Sequence, residues 1–177
     1  KEGDGRNLAY TELVALNRSY DGEAAVSSEL EAFKNEALKA AAQRASEPQK
    51  GEKGYASASQ CARCHSREFA RWTLSDHAEA WQSLLLRDEQ GNPECIQCHS
   101  TGFGKPGGLG ELVRKQVRKY KAVQCESCHG PMGGHPGDPE VRPIPIGPET
   151  CLECHDEANS PDFEFESYLK RGQCQMH

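Results

Sequence analysis

The longest amphipathic pattern in the chain lies between residues 22 and 46. Apolar residues recur there at three- and four-residue steps, as they do on one face of an α-helix. Asp21 precedes the pattern and is a suitable N-cap. The apolar face consists of Val26, Leu30, Phe33, Ala37 and Ala41. The pattern predicts a helix whose favoured role is local packing, with docking or dimerisation as the alternative.

The segments on either side of this helix differ in character. Leu8, Tyr10, Val14 and Leu16 precede it at the spacing of a β-strand. The residues that follow it are polar and rich in turn-forming types, as in a linker. We therefore predict an N-terminal strand and helix arm at 1–46, a linker at 47–54 and a main domain at 55–177.

A second helical pattern runs from Ser66 to Leu86. Its apolar and aromatic residues again recur at helical steps. They are Phe69, Trp72, His77, Trp81, Leu84 and Leu85. Residues 101–110 are rich in glycine and 130–150 in glycine and proline, which predicts loops, and a further helix is predicted after Pro161.

The composition is too polar for a conventional core in a chain of this size. Only 36% of the residues are hydrophobic, and the mean hydropathy is -0.80. No apolar segment is long enough to cross a bilayer, and no signal peptide is visible, so we expect a mature form. The formal net charge of -6 argues against nucleic acid as a partner.

Nine cysteines change this picture, because eight of them stand in four identical Cys-X-X-Cys-His motifs. In such a motif two thiols form thioether bonds to a porphyrin, and the histidine ligates its iron. A zinc site or a set of disulfides would not require that histidine. The cysteines are Cys61, Cys64, Cys95, Cys98, Cys125, Cys128, Cys151 and Cys154, followed by His65, His99, His129 and His155. The motifs predict four covalently attached c-type haems.

Four porphyrins would supply the apolar surface that the composition lacks. We therefore predict a mainly α multihaem cytochrome c fold, with short helices and loops wrapped around four haems and little or no sheet. The haem-free chain is expected to be largely unfolded, because cofactor binding and folding are coupled. Haem attachment of this kind takes place outside the cytoplasm, which predicts a periplasmic or extracellular protein.

The histidine count limits how the irons can be ligated. Four irons have eight axial positions, and the chain has seven histidines. Beyond those in the motifs, His77, His135 and His177 remain as candidates for the opposite faces. If all three bind iron, three haems have two histidine ligands and the fourth has one. Met132 and Met176 leave methionine ligation of the fourth haem open.

The ligand count also bears on function. Haems with two histidine ligands are coordinatively closed and suit electron relay, whereas an open iron can bind a small molecule. We therefore predict an electron carrier with redox proteins as donor and acceptor. Reduction of a small ligand such as nitric oxide is the enzymatic alternative. A conductive assembly, joined by the N-terminal arm and with the fourth iron ligated by a partner, is the structural alternative.

Residues around the motifs resemble the cytochrome c-554 family over 58–177. They are Trp72 and Ser75-Asp-His77-Ala78 after the first motif, Gly102-Phe-Gly104 and Gly107-Gly108 after the second, Gly130-Pro131 and His135 after the third, and Ser160-Pro161, Phe163, Phe165 and Met176-His177 after the fourth. The resemblance implies a mostly helical fold with three bis-histidine haems and one five-coordinate haem on His99. It also implies that His77, His135 and His177 are the distal ligands.

Four features stand apart from this resemblance. Met132 occupies a position where the family usually has glycine. Residues 1–46 weakly resemble the end of a secreted metallophosphatase domain, but none of that superfamily's metal-binding motifs occurs, so we expect no phosphatase activity. Cys174 is the ninth cysteine, and a buried free thiol is favoured over an intermolecular disulfide. The basic residues of 114–121 form either a solvated helix face or a surface that steers an acidic redox partner.

Overall fold

The computed structural model describes residues 24–46 and 54–172. The described residues form nine helices, seven of which have seven residues or fewer. The helices are α1 (Ala24–Ser46), α2 (Ala58–Cys61), α3 (Ser66–Trp72), α4 (Asp76–Arg87), α5 (Pro93–His99), α6 (Arg114–Tyr120), α7 (Cys125–His129), α8 (Pro148–Leu152) and α9 (Phe165–Arg171). These residues contain no β-strand, and an isolated antiparallel bridge joins Ser100 to Lys121. The predicted mainly α fold class is confirmed.

The single helix predicted from Ser66 to Leu86 is in fact two helices. Helix α3 ends at Trp72, and α4 begins at Asp76. Ser75 between them is extended, with φ -96° and ψ 156°, and its hydroxyl donates to the Trp72 carbonyl at 2.7 Å. Serine hydroxyls compete in this way with the helical backbone for its hydrogen bonds, which breaks the helix although the apolar spacing continues.

Helix α1 confirms the predicted amphipathic helix, but only its C-terminal half packs against the rest of the protein. Ala41 is fully buried, and the Gly107 N–H donates to the Ala45 carbonyl at 3.0 Å. The apolar residues of the N-terminal half are 50 to 59% exposed. They are Val26, Leu30 and Phe33. The predicted local packing is therefore observed for the C-terminal half of the apolar face, whereas the N-terminal half is exposed.

A small apolar core lies where α1, α4, α5 and α6 meet the glycine-rich loop. Its buried residues are Tyr55, Trp81, Leu84, Ile96, Leu109 and Tyr120. The Tyr120 hydroxyl crosses this core and donates to the Gly107 carbonyl at 2.8 Å. The small size of the core agrees with the low hydrophobic content of the chain.

The loop predicted at 101–110 is confirmed and is closely packed. Gly108 lies so near Gly102 that a Cβ atom on Gly108 would overlap the Gly102 carbonyl group. Gly102 itself has φ +68°, in the left-handed region that favours glycine. Glycine is therefore needed here for close approach of two backbone segments as well as for the turn.

Several predicted features lie outside the described residues. They are the strand-like residues 8–16, the N-cap Asp21, the linker residues 47–53, Cys174, Met176 and His177. They remain predictions, as does the division of the chain into arm, linker and domain. Within 24–46 and 54–172, no helix is both long and apolar enough to span a membrane.

Candidate haem centres

Each Cys-X-X-Cys-His motif forms about one helical turn. The His65 and His155 N–H groups each donate to the carbonyl of the first cysteine of their motif, at 2.8 Å. The second and third motifs end helices α5 and α7. Residues at positions i, i+3 and i+4 of a helical turn lie on one side of it. Each motif therefore presents two sulfur atoms and one imidazole to the same side, as attachment of a c-type haem requires.

The four motifs are arranged in two neighbouring pairs. The Cys61 and Cys125 thiols hydrogen-bond to each other, which brings the first motif beside the third. The Cys98 and Cys154 thiols do the same for the second and fourth motifs. Burial, followed by the hydrogen bond from Cys98, raises the pKa of Cys154 to about 12. Burial also raises the pKa of Cys61, so the Cys61 and Cys154 thiols are neutral and lie in partly apolar surroundings.

A buried carboxylate holds the first and third motifs together. Glu126, inside the third motif, is only 2% exposed. Its Oε1 accepts from the N–H groups of Ala56 and Met132, both at 2.8 Å, and its Oε2 accepts from the Ser57 N–H at 2.7 Å. Hydrogen bonds to a charged acceptor are about twice as strong as neutral ones. The carboxylate thus fixes the chain before the first motif and after the third.

Gln124 extends the same buried network. Its Oε1 accepts from the Ala58 N–H at 2.6 Å, and its Nε2 donates to the Lys119 and Lys121 carbonyls, both at 2.9 Å. Its own N–H donates to the hydroxyl of the fully buried Thr101 at 2.9 Å. Irregular backbone that a helix or sheet cannot satisfy is therefore satisfied here by side chains.

Two pairs of imidazole rings lie close together, and we call them the facing pairs. The ring centres of His65 and His135 are 6.5 Å apart, and those of His77 and His155 are 6.1 Å apart. Metal–imidazole nitrogen bonds are about 2 Å long, so two imidazoles on opposite faces of one metal ion have ring centres roughly 6 Å apart. Both pairs therefore have the separation that suits the two axial ligands of one iron.

The His99 imidazole is oriented by helix α4. Its Nδ1 lies 2.7 Å from the Ala80 carbonyl oxygen and 3.1 Å from the Ser83 hydroxyl. A carbonyl oxygen can only accept, so Nδ1 carries the proton and Nε2 is left with the lone pair that a metal ligand needs. Among the described residues no other imidazole ring faces His99 in the way that the two pairs face each other.

Aromatic residues surround the fourth motif's histidine. The Phe163 ring stacks on the His155 ring at 5.4 Å with an interplanar angle of 10°, and Tyr168 packs edge-on at 5.2 Å. Burial lowers the pKa of His155. The pKa of His77 is also lowered, mainly by burial and to a smaller extent by the nearby His155. Both shifts favour the neutral imidazole, which is the form that ligates a metal.

The described residues fit c-type haem better than a bare metal ion. No three His, Cys, Asp or Glu side chains within 24–46 and 54–172 converge as ligands of one ion, so the zinc alternative gains no support. Two facing imidazoles, by contrast, suffice for a haem iron, because the porphyrin supplies its other four ligands. Six of the cysteine thiols, those of Cys61, Cys64, Cys95, Cys98, Cys151 and Cys154, are outside any disulfide.

Cys-X-X-Cys-His turns on short helices, together with facing imidazole pairs, define a multihaem c-type cytochrome, a class of electron-transport proteins. Residues 60–130 match the family model described as cytochrome c554 and c-prime. The resemblance to the cytochrome c-554 family that was predicted from the sequence is confirmed for this part of the chain.

A curated relative supports the same assignment. The chain is 30% identical over 93 residues to cytochrome c-554 of Nitrosomonas europaea, in a match that covers 44% of this chain and 39% of that protein. The chain thus spans about two fifths of the length of this relative. No solved structure gives a significant match to the chain.

Residues that support the haem motifs could not be identified from the sequence. Glu126 and Gln124 stand within or just before an attachment motif, where any residue type is allowed. Ser83 belongs to a helical pattern in which it is simply a polar position. Their roles depend on contacts across 16 to 70 residues, and no local pattern indicates such contacts.

We expect Glu126→Ala to lower the free energy of unfolding of the haem-loaded protein by roughly 3 kcal/mol, because one buried and two partly buried N–H groups lose their acceptor. Glu126→Gln keeps one acceptor oxygen, so its free energy of unfolding should lie between those of the unmodified protein and the Glu126→Ala variant. Chemical denaturation followed by haem absorbance measures the effect. Glu94→Ala, which removes an exposed carboxylate beside the second motif, is the control. Equal stability of the Glu126→Ala and Glu94→Ala variants would contradict this account.

Proposed function

We propose that this protein relays electrons between redox proteins outside the cytoplasm through four c-type haems. The observation that supports this most strongly is the two facing imidazole pairs, at 6.5 and 6.1 Å between ring centres. A c-type haem with two histidine ligands supplies a one-electron couple and has no open position for a substrate. Such haems serve electron transfer, and their covalent attachment outside the cytoplasm supports the proposed location.

The ring geometry supports a particular pairing of ligands. His65 and His135 would bind the first haem, and His77 and His155 the fourth. The close neighbourhood of the attachment cysteines supports an arrangement in which the first haem lies beside the third and the second beside the fourth. Of the distal candidates, His177 alone remains for the two other irons.

The protein's own residues have defined tasks in this proposal. The Ala80 carbonyl and the Ser83 hydroxyl orient His99 and keep its Nε2 available to the metal. Ser160, whose hydroxyl lies 2.8 Å from the His155 Nδ1, does the same for the fourth motif. Phe163 shields that imidazole from water. Fixed ligands need little rearrangement when the charge on iron changes, which favours rapid electron transfer.

A second candidate function is reduction of a small ligand such as nitric oxide at one haem. The ligand count favours it, because His177 can serve the haem of either His99 or His129 but not both. The resemblance to the cytochrome c-554 family assigns the open position to His99. An electron relay with one open iron could deliver electrons to a ligand bound there.

We expect four haems per chain, each of which takes up and releases one electron reversibly. The pyridine haemochrome assay counts the haems, and a spectroscopic redox titration counts the electrons. Fewer than four haems, or reduction that cannot be reversed, would contradict the relay.

Double variants test the proposed ligand pairing. His65→Ala combined with His135→Ala removes both ligands of one haem, so electron paramagnetic resonance should show the loss of one low-spin signal. His65→Ala combined with His77→Ala removes one ligand from each of two haems, so two low-spin signals should be lost. If the first double variant loses two signals, His65 and His135 do not share an iron.

Nitric oxide tests the second candidate. We expect it to bind one haem per reduced chain, and two haems in a His177→Ala variant, because that change opens one more iron. The absorbance spectrum measures the bound fraction. If nitric oxide does not bind to the unmodified protein, the hypothesis of an open iron and the enzymatic function that depends on it are both contradicted.

A further inference from the structure

Helix α6 and the residue after it form the most basic stretch of an otherwise acidic protein. Positions 114–121 contain five of the chain's 21 lysines and arginines and no acidic residue, although the chain as a whole carries a net charge of -6. We call these five residues the basic surface. They are Arg114, Lys115, Arg118, Lys119 and Lys121, all of them exposed.

The cations at the outer side of this surface are available for a partner. Within the described part of the chain, Arg114, Lys115 and Arg118 make no ion pair with a carboxylate. Lys119 differs from them, because its ammonium group donates to the Tyr55 carbonyl at 3.2 Å and lies over the Tyr120 ring. No carboxylate of the described residues therefore pairs with the charge of Arg114, Lys115 and Arg118.

An apolar groove of about 420 Å³ lies directly beside the basic surface. Four apolar side chains line it, and Arg114 stands at its edge. The four are Trp81, Leu85, Leu112 and Val117. Val113, which stands in sequence between the lining residues Leu112 and Arg114, is 49% exposed, and Leu85 itself is 47% exposed. An apolar centre with a charged rim is the usual anatomy of a protein–protein interface.

We propose that the apolar groove and the basic surface together form a docking site for an acidic redox protein. An apolar side chain of the partner would occupy the groove, and carboxylates around it would meet Arg114, Lys115 and Arg118. That the partner is a redox protein rests on the proposed function, whereas the docking site itself is inferred from the groove and the charges. Trp81, Leu112 and Val117 pack in the same cluster as Cys95, so docking here brings the partner close to the second attachment motif.

The charges favour this occupant over others. In a two-fold symmetric dimer built on this face, the basic surface would meet itself, and like charges would repel. A nucleic acid backbone would leave the apolar groove unfilled, whereas a protein partner can place an apolar side chain in it. An acidic protein is attracted to this face, and the attraction is expected to fall steeply with salt.

Binding of two small acidic one-electron carriers, flavodoxin and plant-type ferredoxin, tests the proposal without electron transfer. With all proteins oxidised, calorimetric titration at low ionic strength should give binding that weakens on addition of salt. Arg114→Glu with Arg118→Glu should weaken it at least about tenfold. Lys39→Glu with Lys170→Glu makes the same charge change at exposed sites on α1 and α9, and should weaken it less than about twofold.

The groove is tested by a matched pair on α4. Leu85→Gln should weaken binding several-fold at any salt concentration, whereas Leu86→Gln, on the neighbouring residue outside the groove, should not. The proposal would be overturned if both carriers failed to bind, or if the two charge-reversal variants lost affinity equally. It would also be overturned if the protein self-associated through this face and the Arg114 and Arg118 changes abolished that self-association. Reduction of the haems by the small uncharged reagent photoreduced lumiflavin reports separately on the proposed relay, so the two failures are distinguishable.

Discussion

The buried side chains of Gln124 and Glu126 are the constraint on which the rest of this structure depends. They lie immediately before and within the third haem motif, and they accept hydrogen bonds from the backbone of residues 56–58, which precede the first motif. Residues 24–46 and 54–172 contain no strand and only two helices longer than seven residues, and their apolar core is small. Side-chain oxygens therefore accept the hydrogen bonds of backbone N–H groups that a helix or sheet would otherwise satisfy. They do so at the place where the first and third attachment motifs are neighbours.

This arrangement brings histidines from distant parts of the chain close together. His77 follows the first motif in sequence but faces His155 of the fourth, and His135 follows the third motif but faces His65 of the first. The Val123 N–H donates to the His77 carbonyl at 3.1 Å, and the Trp72 indole donates to the Val123 carbonyl at 2.8 Å. These contacts fix the segment that carries His77 against the segment that leads into the third motif. Each haem would then join distant parts of the chain, so haem loading and folding should be strongly coupled.

The sequence predicted the helical class and the attachment residues because both follow from local rules. The Cys-X-X-Cys-His spacing is set by one helical turn, and the helix beginning at Ala24 follows from apolar periodicity. The break at Ser75 was missed because the apolar spacing continues through it. The partner of each distal histidine could not be predicted either, since sequence spacing carries no information about which of four motifs His77 or His135 will meet. Glu126 was missed for a related reason, because its three acceptor contacts join segments up to 70 residues apart.

The central claim is the proposal that a motif histidine shares its iron with a histidine that follows a different motif. The most direct measurement is an anomalous-scattering map, recorded at the iron absorption edge from crystals of the haem-loaded protein. The account predicts one iron peak between His65 and His135 and another between His77 and His155. It would be contradicted by a peak beside His65 or His155 whose opposite face is occupied by water, by methionine or by a different histidine.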